Sequence, residues 1–203
     1  YNGALWKGRA LECFEGGEDQ KYMPYGATKS PGNTVTGYYM RKLLDETNRD
    51  FVLNGSYQPW PEFRYAELEL IKAECLARAG KYAEARAVLN DLRVKRFGRD
   101  DVYTAPISSW DTALDAILHE RMIELCYEGH RFWDLRRTGR AHAVLDGKKY
   151  TGVLWKKAPD GSFTPSSVAA DVAAHRYPER FDRIPIPQSE TKNNTKARQN
   201  SDW

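Results

Sequence analysis

The sequence predicts a mainly α-helical fold with long irregular aromatic loops and a small β element, and three observations carry that prediction. From Glu62 onward apolar residues recur at helical spacing, glycines fall just past the ends of the apolar stripes, and Asp-Gly pairs come late in the chain between short alternating runs. Before Glu62 that spacing is missing: Gly16-Gly17, Met23-Pro24, Ser30-Pro31-Gly32-Asn33 and Asn54-Gly55 break every run before it lengthens. The 203 residues are therefore expected to form a single domain with a loop-rich region over 1–60, a helical core over 61–140, and hairpin elements with an extended tail over 141–203.

In the core, Tyr65, Leu68, Ile71, Ala73, Cys75, Leu76 and Ala79 mark a first helix that Gly80 ends. A second begins at once, with Tyr82, Ala85, Val88, Leu89 and Leu92 on one face, and with Arg93, Lys95 and Arg96 near its C-terminus, where cations suit the helix dipole. So short a break makes an antiparallel pair, and Ala73, Ala77, Ala85 and Ala87 let the two backbones approach closely. Gly80 ahead of Tyr82 and Ala85 resembles the turn of a tetratricopeptide repeat. A solenoid of such units needs about three to bury its faces, so partner helices are expected either before residue 1 or later in the chain. Ser109 or Asp111 caps a third helix, expected to be the longest, with Leu114, Ile117, Leu118, Ile123, Leu125 and Cys126 as its stripe and Gly129 as its stop. Phe132 to Arg137 reads as a helical turn that places Phe132 and Leu135 on the core side, ended by Gly139. Beyond it, Asp146-Gly147 and Asp160-Gly161 have the composition of hairpin turns, and Val168 to Ala174 fits one more helical turn. In the tail, Pro185 and Pro187 forbid helix and fix an extended path, and Ile184 and Ile186 then point the same way. Burial of both is expected to tie the terminus down.

Composition excludes several functions. A formal charge of +3, with Lys and Arg evenly mixed among Asp and Glu, gives no electrostatic case for nucleic acid. No run approaches the roughly 18 apolar residues that span a bilayer, and the first residues lack a secretion-signal pattern. The chain opens without Met inside a polar loop, so an excised or processed part of a longer protein is expected, with any signal peptide and lipid-anchor cysteine upstream. Cys13, Cys75 and Cys126 contain no CxxC pair; Cys75 and Cys126 fall on helix faces where a thiol acts as a small hydrophobe, and both are expected to be buried.

Catalytic motifs fail on their spacing. His119-Glu120 opens like a zinc signature, but Ile123 stands where the second histidine belongs, and neither a phosphate loop nor a GxSxG elbow occurs. Glu120, Glu124 and Glu128 lie on one helix face, whereas a glycosidase needs carboxylates some 5 to 9 Å apart on opposite sides of a bond. With Asp134 they alternate with Arg121, Arg131, Arg136 and Arg137, enough opposite charge to satisfy itself where helices meet. No catalytic residue, metal or cofactor is expected.

Four blocks in order now carry a resemblance: Phe63-Arg64-Tyr65-Ala66-Glu67 with Ala73-Glu74; the arginine-bearing helix from Ala85 to Arg96; Glu120-Arg121, Glu124-Leu125, Glu128-Gly129-His130-Arg131 and Asp134-Leu135-Arg136-Arg137; and Pro185-Ile186-Pro187-Gln188-Ser189-Glu190 with Asn194 and Gln199-Asn200. Over residues 62–203 this arrangement resembles the C-terminal region of the SusD/RagB family, with Ser201-Asp202 standing where the family usually has Pro-Gly. The resemblance implies tetratricopeptide-like helix pairs in a binding protein rather than an enzyme. It implies secretion, a lipid anchor at the outer-membrane surface of Bacteroidetes, and a seat over a SusC-like TonB-dependent transporter. The ligand would be a glycan fragment, or in some branches a peptide.

An oligosaccharide offers CH faces for stacking and hydroxyls for hydrogen bonds, and aromatic loops flanked by polar residues supply both. Residues 1–60 hold Tyr1, Trp6, Phe14, Tyr22, Tyr25, Tyr38, Tyr39, Tyr57 and Trp60. From these Trp6, Tyr25, Tyr38, Tyr39, Tyr57 and Trp60 are the expected ligand contacts, chosen for loop position and amphipathic rings, not matched to a family motif. Two other readings stay open: a helical-repeat adaptor that holds a protein or peptide on the face of its helix pair, and a glycosidase using Glu120 or Glu128 in an open cleft.

Overall fold

The computed structural model describes residues 5–6, 9–10, 12–15, 17, 38, 40, 42–43, 59–98 and 103–203. The chain forms two compact units, Tyr57–Arg140 on the one hand and Tyr1–Ser56 with Ala141–Trp203 on the other.

The first unit is helical, with α1 over Tyr65–Arg78, α2 over Tyr82–Phe97, α3 over Trp110–Glu124 and α4 over His130–Arg137. Its core joins Leu70, Ala73 and Ala77 of α1 to Ala85 and Leu89 of α2, to Ala113, Ala116 and Ile117 of α3, and to Leu125. Ala73, Ala77 and Ala85 sit buried where the two backbones meet, as their spacing predicts, whereas Ala87 is exposed. Gly80, at φ +75°, makes the α1–α2 turn: its N–H reaches the Ala77 carbonyl, and the Lys81 N–H reaches that of Leu76, a Schellman closure that a β-carbon would strain. Ser109 caps α3 reciprocally, its hydroxyl accepting from the Thr112 N–H while Thr112 Oγ1 accepts from the Ser109 N–H.

Several expectations for the helices need correction. The third helix stops at Glu124 instead of Gly129, because Tyr127 and Gly129 take left-handed backbone, at φ +65° and +81°. With 15 residues it is shorter than α2, which has 16. In α4, Leu135 is buried as expected but Phe132 is exposed: Asp134 turns inward, and two positions on a helix lie about 200° apart. Phe132 instead meets Trp133 edge-on at 5.4 Å, with the Arg136 guanidinium over both rings. Cys75 and Cys126 are both exposed. Cys75 lies two positions from buried Ala73 and so on the far side of α1, and Cys126 lies in the turn beyond α3. That far side also carries Leu68 and Ile71, 55% and 42% exposed.

The carboxylates of the third block are buried and paired, as the charge alternation predicts, but largely with other arginines. Arg64 donates from Nη1 to Glu124 at 2.6 Å, from Nε to Glu128 at 2.7 Å, and from Nη2 to the Glu124 carbonyl. Arg96 binds both Glu124 oxygens, with Nε at 2.8 Å from Oε2. Arg93 lies 3.5 Å from Glu120. Deeper in, Arg121 Nε donates to Asp134 Oδ2 at 2.6 Å, and Arg137 spans Asp134 and a bidentate pair with Glu74 at 2.6 and 2.8 Å. Burial pushes the Glu124 carboxyl up, but hydrogen bonds from Arg96 and Arg64 outweigh it and hold the group below its ordinary 4.5.

In the second unit, β1 (Leu5–Trp6) pairs antiparallel with β2 (Arg9–Ala10), α5 spans Ala141–Leu145, and β3 (Thr151–Lys157) pairs antiparallel with β4 (Phe163–Ala169). Asp160-Gly161 makes the β3–β4 turn as predicted, with Gly161 at φ +86° and Asp160 Oδ1 accepting from the Ser162 N–H and hydroxyl. Asp146-Gly147 does not join strands; it closes α5, and the Gly147 N–H donates to the His175 carbonyl. The helical turn expected over Val168–Ala174 is not formed, since Val168 and Ala169 complete β4. A 3-10 turn over Glu179–Asp182 and a short α6 over Gln188–Asn193 follow.

The tail is tied down, but not by burial of both isoleucines, since Ile184 is 65% exposed and Ile186 is only half-buried. The Gln199 amide brackets Ile186, accepting from its N–H at 2.8 Å and donating to its carbonyl at 2.9 Å, and Asn200 donates to the Ile184 carbonyl at 2.7 Å. Trp203 stacks on Phe181 at 5.5 Å, and its Nε1 donates to the Arg180 and Arg183 carbonyls.

Asp134→Ala strands the buried Arg121 guanidinium and is expected to lower stability in urea by about 3 kcal/mol, while Arg121→Leu with Asp134→Leu costs much less. Because the folded Glu124 value lies below 4.5, its contribution is present above that pH and is lost as pH falls through the folded value. Glu124→Gln should therefore flatten part of the loss of thermal stability seen on acidification below 4.5, at the cost of lower stability near neutrality. Gln199→Ala should speed exchange of the Ile186 amide about fivefold, the equivalent of one hydrogen bond of about 1 kcal/mol.

Candidate functional site

The approach to α1 presents its rings to solvent for a reason visible in the backbone. Pro61 biases Trp60 toward extended structure, and Arg64, just before α1, is itself extended at φ −145° and ψ 157°. Side chains alternate on such a backbone, so the anchoring of Arg64 inward on Glu124 and Glu128 turns Phe63 and Tyr65 outward. Trp60, Phe63 and Tyr65 are 56%, 78% and 67% exposed within six residues. Tyr65 is steadied by a hydrogen bond to Glu69 one turn on, which raises the phenol's pKa and lowers that of the carboxyl. Flat, solvent-facing rings beside carboxylates and amines can stack on an apolar face of a ligand and hydrogen-bond its hydroxyls.

Of the residues expected to touch ligand, Trp60 is placed on this surface and Tyr38, 47% exposed, on the other unit. Trp6 lies in β1, paired with Arg9. Tyr25, Tyr39 and Tyr57 lie outside the described residues. Phe63 and Tyr65 were missed because Tyr65 opens a helical stripe and was assigned to the core; the signal available was the alternation about a single arginine.

A cavity of about 370 Å³ opens beside α1, lined by Glu67, Ile71, Glu74, Cys75, Arg78, Arg121 and Arg137. Arg78 stacks on Trp110 at 4.2 Å. Glu67 is held loosely, 3.8 Å from Arg121 and 3.5 Å from His130. Arg121 is buried, and its Nη1 has no hydrogen-bond partner.

The glycosidase reading requires Glu120 or Glu128 in an open cleft, and both are buried, with Glu120 beside Arg93 and Glu128 bonded to Arg64. Among the described residues no group of three His, Cys, Asp or Glu side chains is arranged to hold a metal ion, and no helix is long and apolar enough to cross a membrane.

The profile of the SusD family matches residues 1–203. A SusD-like protein, P38, of Formosa agariphila is 38% identical over 101 residues, which are 46% of this chain and 20% of that protein. Among solved structures, a SusD-like protein from Bacteroides fragilis superposes with a TM-score of 0.70 at 24% identity, over 90% of this chain and 33% of that one. The protein BT4246 superposes with a TM-score of 0.57 at 30% identity, over 73% of this chain and 24% of that one. The chain thus spans between 20% and 33% of the length of these relatives. With a profile match over its whole length and a mainly helical fold shared with SusD-like structures, the chain belongs to the SusD family.

Proposed function

We propose that this chain is part of a longer cell-surface protein that captures oligosaccharides and passes them to a SusC-like TonB-dependent transporter, with a lipid anchor outside residues 1–203. The observation that carries the reading is membership of a nutrient-binding family together with three solvent-facing rings at the approach to α1. Rings in a soluble chain usually bury, so their display beside Arg64 and Glu69 supports a stacking platform. Trp60 is the first residue assigned to ligand contact, Phe63 and Tyr65 extend its platform, and Tyr38 and Trp6 are assigned to further contacts, with Tyr25, Tyr39 and Tyr57 kept as candidates.

Binding to immobilised polysaccharides and peptides, compared between the wild type and Trp60→Ala and Phe63→Ala variants, tests this. Saturable binding to one glycan class is expected, weakened in each variant by about 1 kcal/mol, roughly fivefold in Kd, with Tm unchanged. Glycan binding indifferent to both substitutions removes the platform from α1. Binding to peptides and not to glycans replaces the reading with peptide capture.

A further inference from the structure

The chain leaves α3 through a backbone conformation that its own packing does not explain. Leu125 is buried in the helical core and Glu128 is buried against Arg64, and between them the chain reverses, the Glu128 N–H reaching the Leu125 carbonyl at 3.1 Å. Two residues of this reversal take left-handed backbone, Gly129 at φ +81° and Tyr127 at φ +65°. Glycine adopts it freely, whereas the β-carbon of an L-residue crowds the following carbonyl. Burial of the ring does not offset that strain, because Tyr127 is 58% exposed, and among the described residues no hydrogen bond, cation or second ring meets its side chain. The turn itself requires only a left-handed residue, which glycine or asparagine would supply. Strain of this kind gathers at binding sites, where the surrounding structure holds a side chain in place for its contacts.

The position of Tyr127 narrows the contact. Its neighbour Glu128 accepts from Arg64 Nε at 2.7 Å, and the neighbour of Arg64 is Phe63, 78% exposed. One ion pair thus carries an exposed ring on each side, Phe63 from the approach to α1 and Tyr127 from the end of α3, and fixes the separation of their backbones. Rings held at two points engage a ligand with more than one face to stack. A single sugar meets one such platform, while an oligosaccharide presents a CH face at each of its residues and can meet both.

We propose that Tyr127 is a ligand-stacking residue which, together with Phe63, makes the site selective for an extended oligosaccharide over its monosaccharide. The assignment rests on the glycan reading of the Trp60–Phe63 platform.

In the native gene product, Tyr127→Gly and Tyr127→Trp are compared with the wild type. The probes are hexasaccharides of starch, cellulose, xylan, mannan and galactan, titrated by calorimetry, and their monosaccharides, titrated by ligand NMR. Tyr127→Gly is expected to weaken hexasaccharide binding about fivefold and monosaccharide binding much less, so that the preference between them shrinks. Its Tm should be unchanged or higher, since glycine relieves the left-handed strain. Tyr127→Trp keeps a ring and should keep the hexasaccharide affinity. A fall in Tm with Tyr127→Gly marks the ring as packed and overturns the proposal, as do equal losses for the two sugar lengths or equal losses in the two variants. Hexasaccharide binding that Trp60→Ala weakens and Tyr127→Gly does not overturns the proposal alone. Binding of none of these sugars by the wild type overturns it together with the glycan reading.

Discussion

The buried carboxylates of Glu124 and Asp134 set the terms on which the helical unit exists. A carboxylate removed from water must be met by charge and by hydrogen bonds, and each of these two is met by arginines from separate places in the chain. Glu124 draws Arg64 from the approach to α1 and Arg96 from the end of α2 to the last turn of α3. Asp134 draws α4 onto α3 through Arg121, and Arg137 continues the chain to Glu74 on α1. Leu70, Leu89, Ile117 and Leu125 pack among small alanines to bring α1, α2 and α3 together. The ionic contacts are directional and add to the choice of register.

The same anchoring produces the surface. Arg64 cannot reach Glu124 and Glu128 unless the backbone at residue 64 is extended and its side chain turned in, and the neighbours on either side must then face out. A structural ion pair and an exposed aromatic platform are two results of one local geometry. The outward display of Phe63 and Tyr65 is accordingly coupled to the packing of α3 through Arg64.

Much of this was legible in the residues. Helical spacing located α1, α2 and α3, Gly80 and Ser109 marked their ends, Asp160-Gly161 marked the β3–β4 turn, and the alternation of acids and arginines announced a packed charge network. What periodicity cannot show is which of two apolar stripes on a helix is covered: Leu68, Ile71 and Cys75 read as core because nothing in their spacing separates them from Leu70, Ala73 and Ala77. Nor does it show a left-handed residue such as Tyr127, which ends α3 early with no glycine at that position. The candidate site was less legible than the fold. Trp60 was found by composition and loop position, but Phe63 and Tyr65 needed the direction of Arg64, a tertiary contact some sixty residues away in sequence.

The closing segment shows how a few polar side chains can govern association. Left without partners, the main-chain groups of Ile184 and Ile186 between the prolines would have the form of an open sheet edge ready to recruit a strand from another molecule. Gln199 and Asn200 occupy those groups with amides that imitate a neighbouring strand yet present no further edge of their own. The tail is thus a terminated ladder, and the Gln-Asn pair gives this part of the surface resistance to intermolecular β-pairing that its isoleucines alone would undermine.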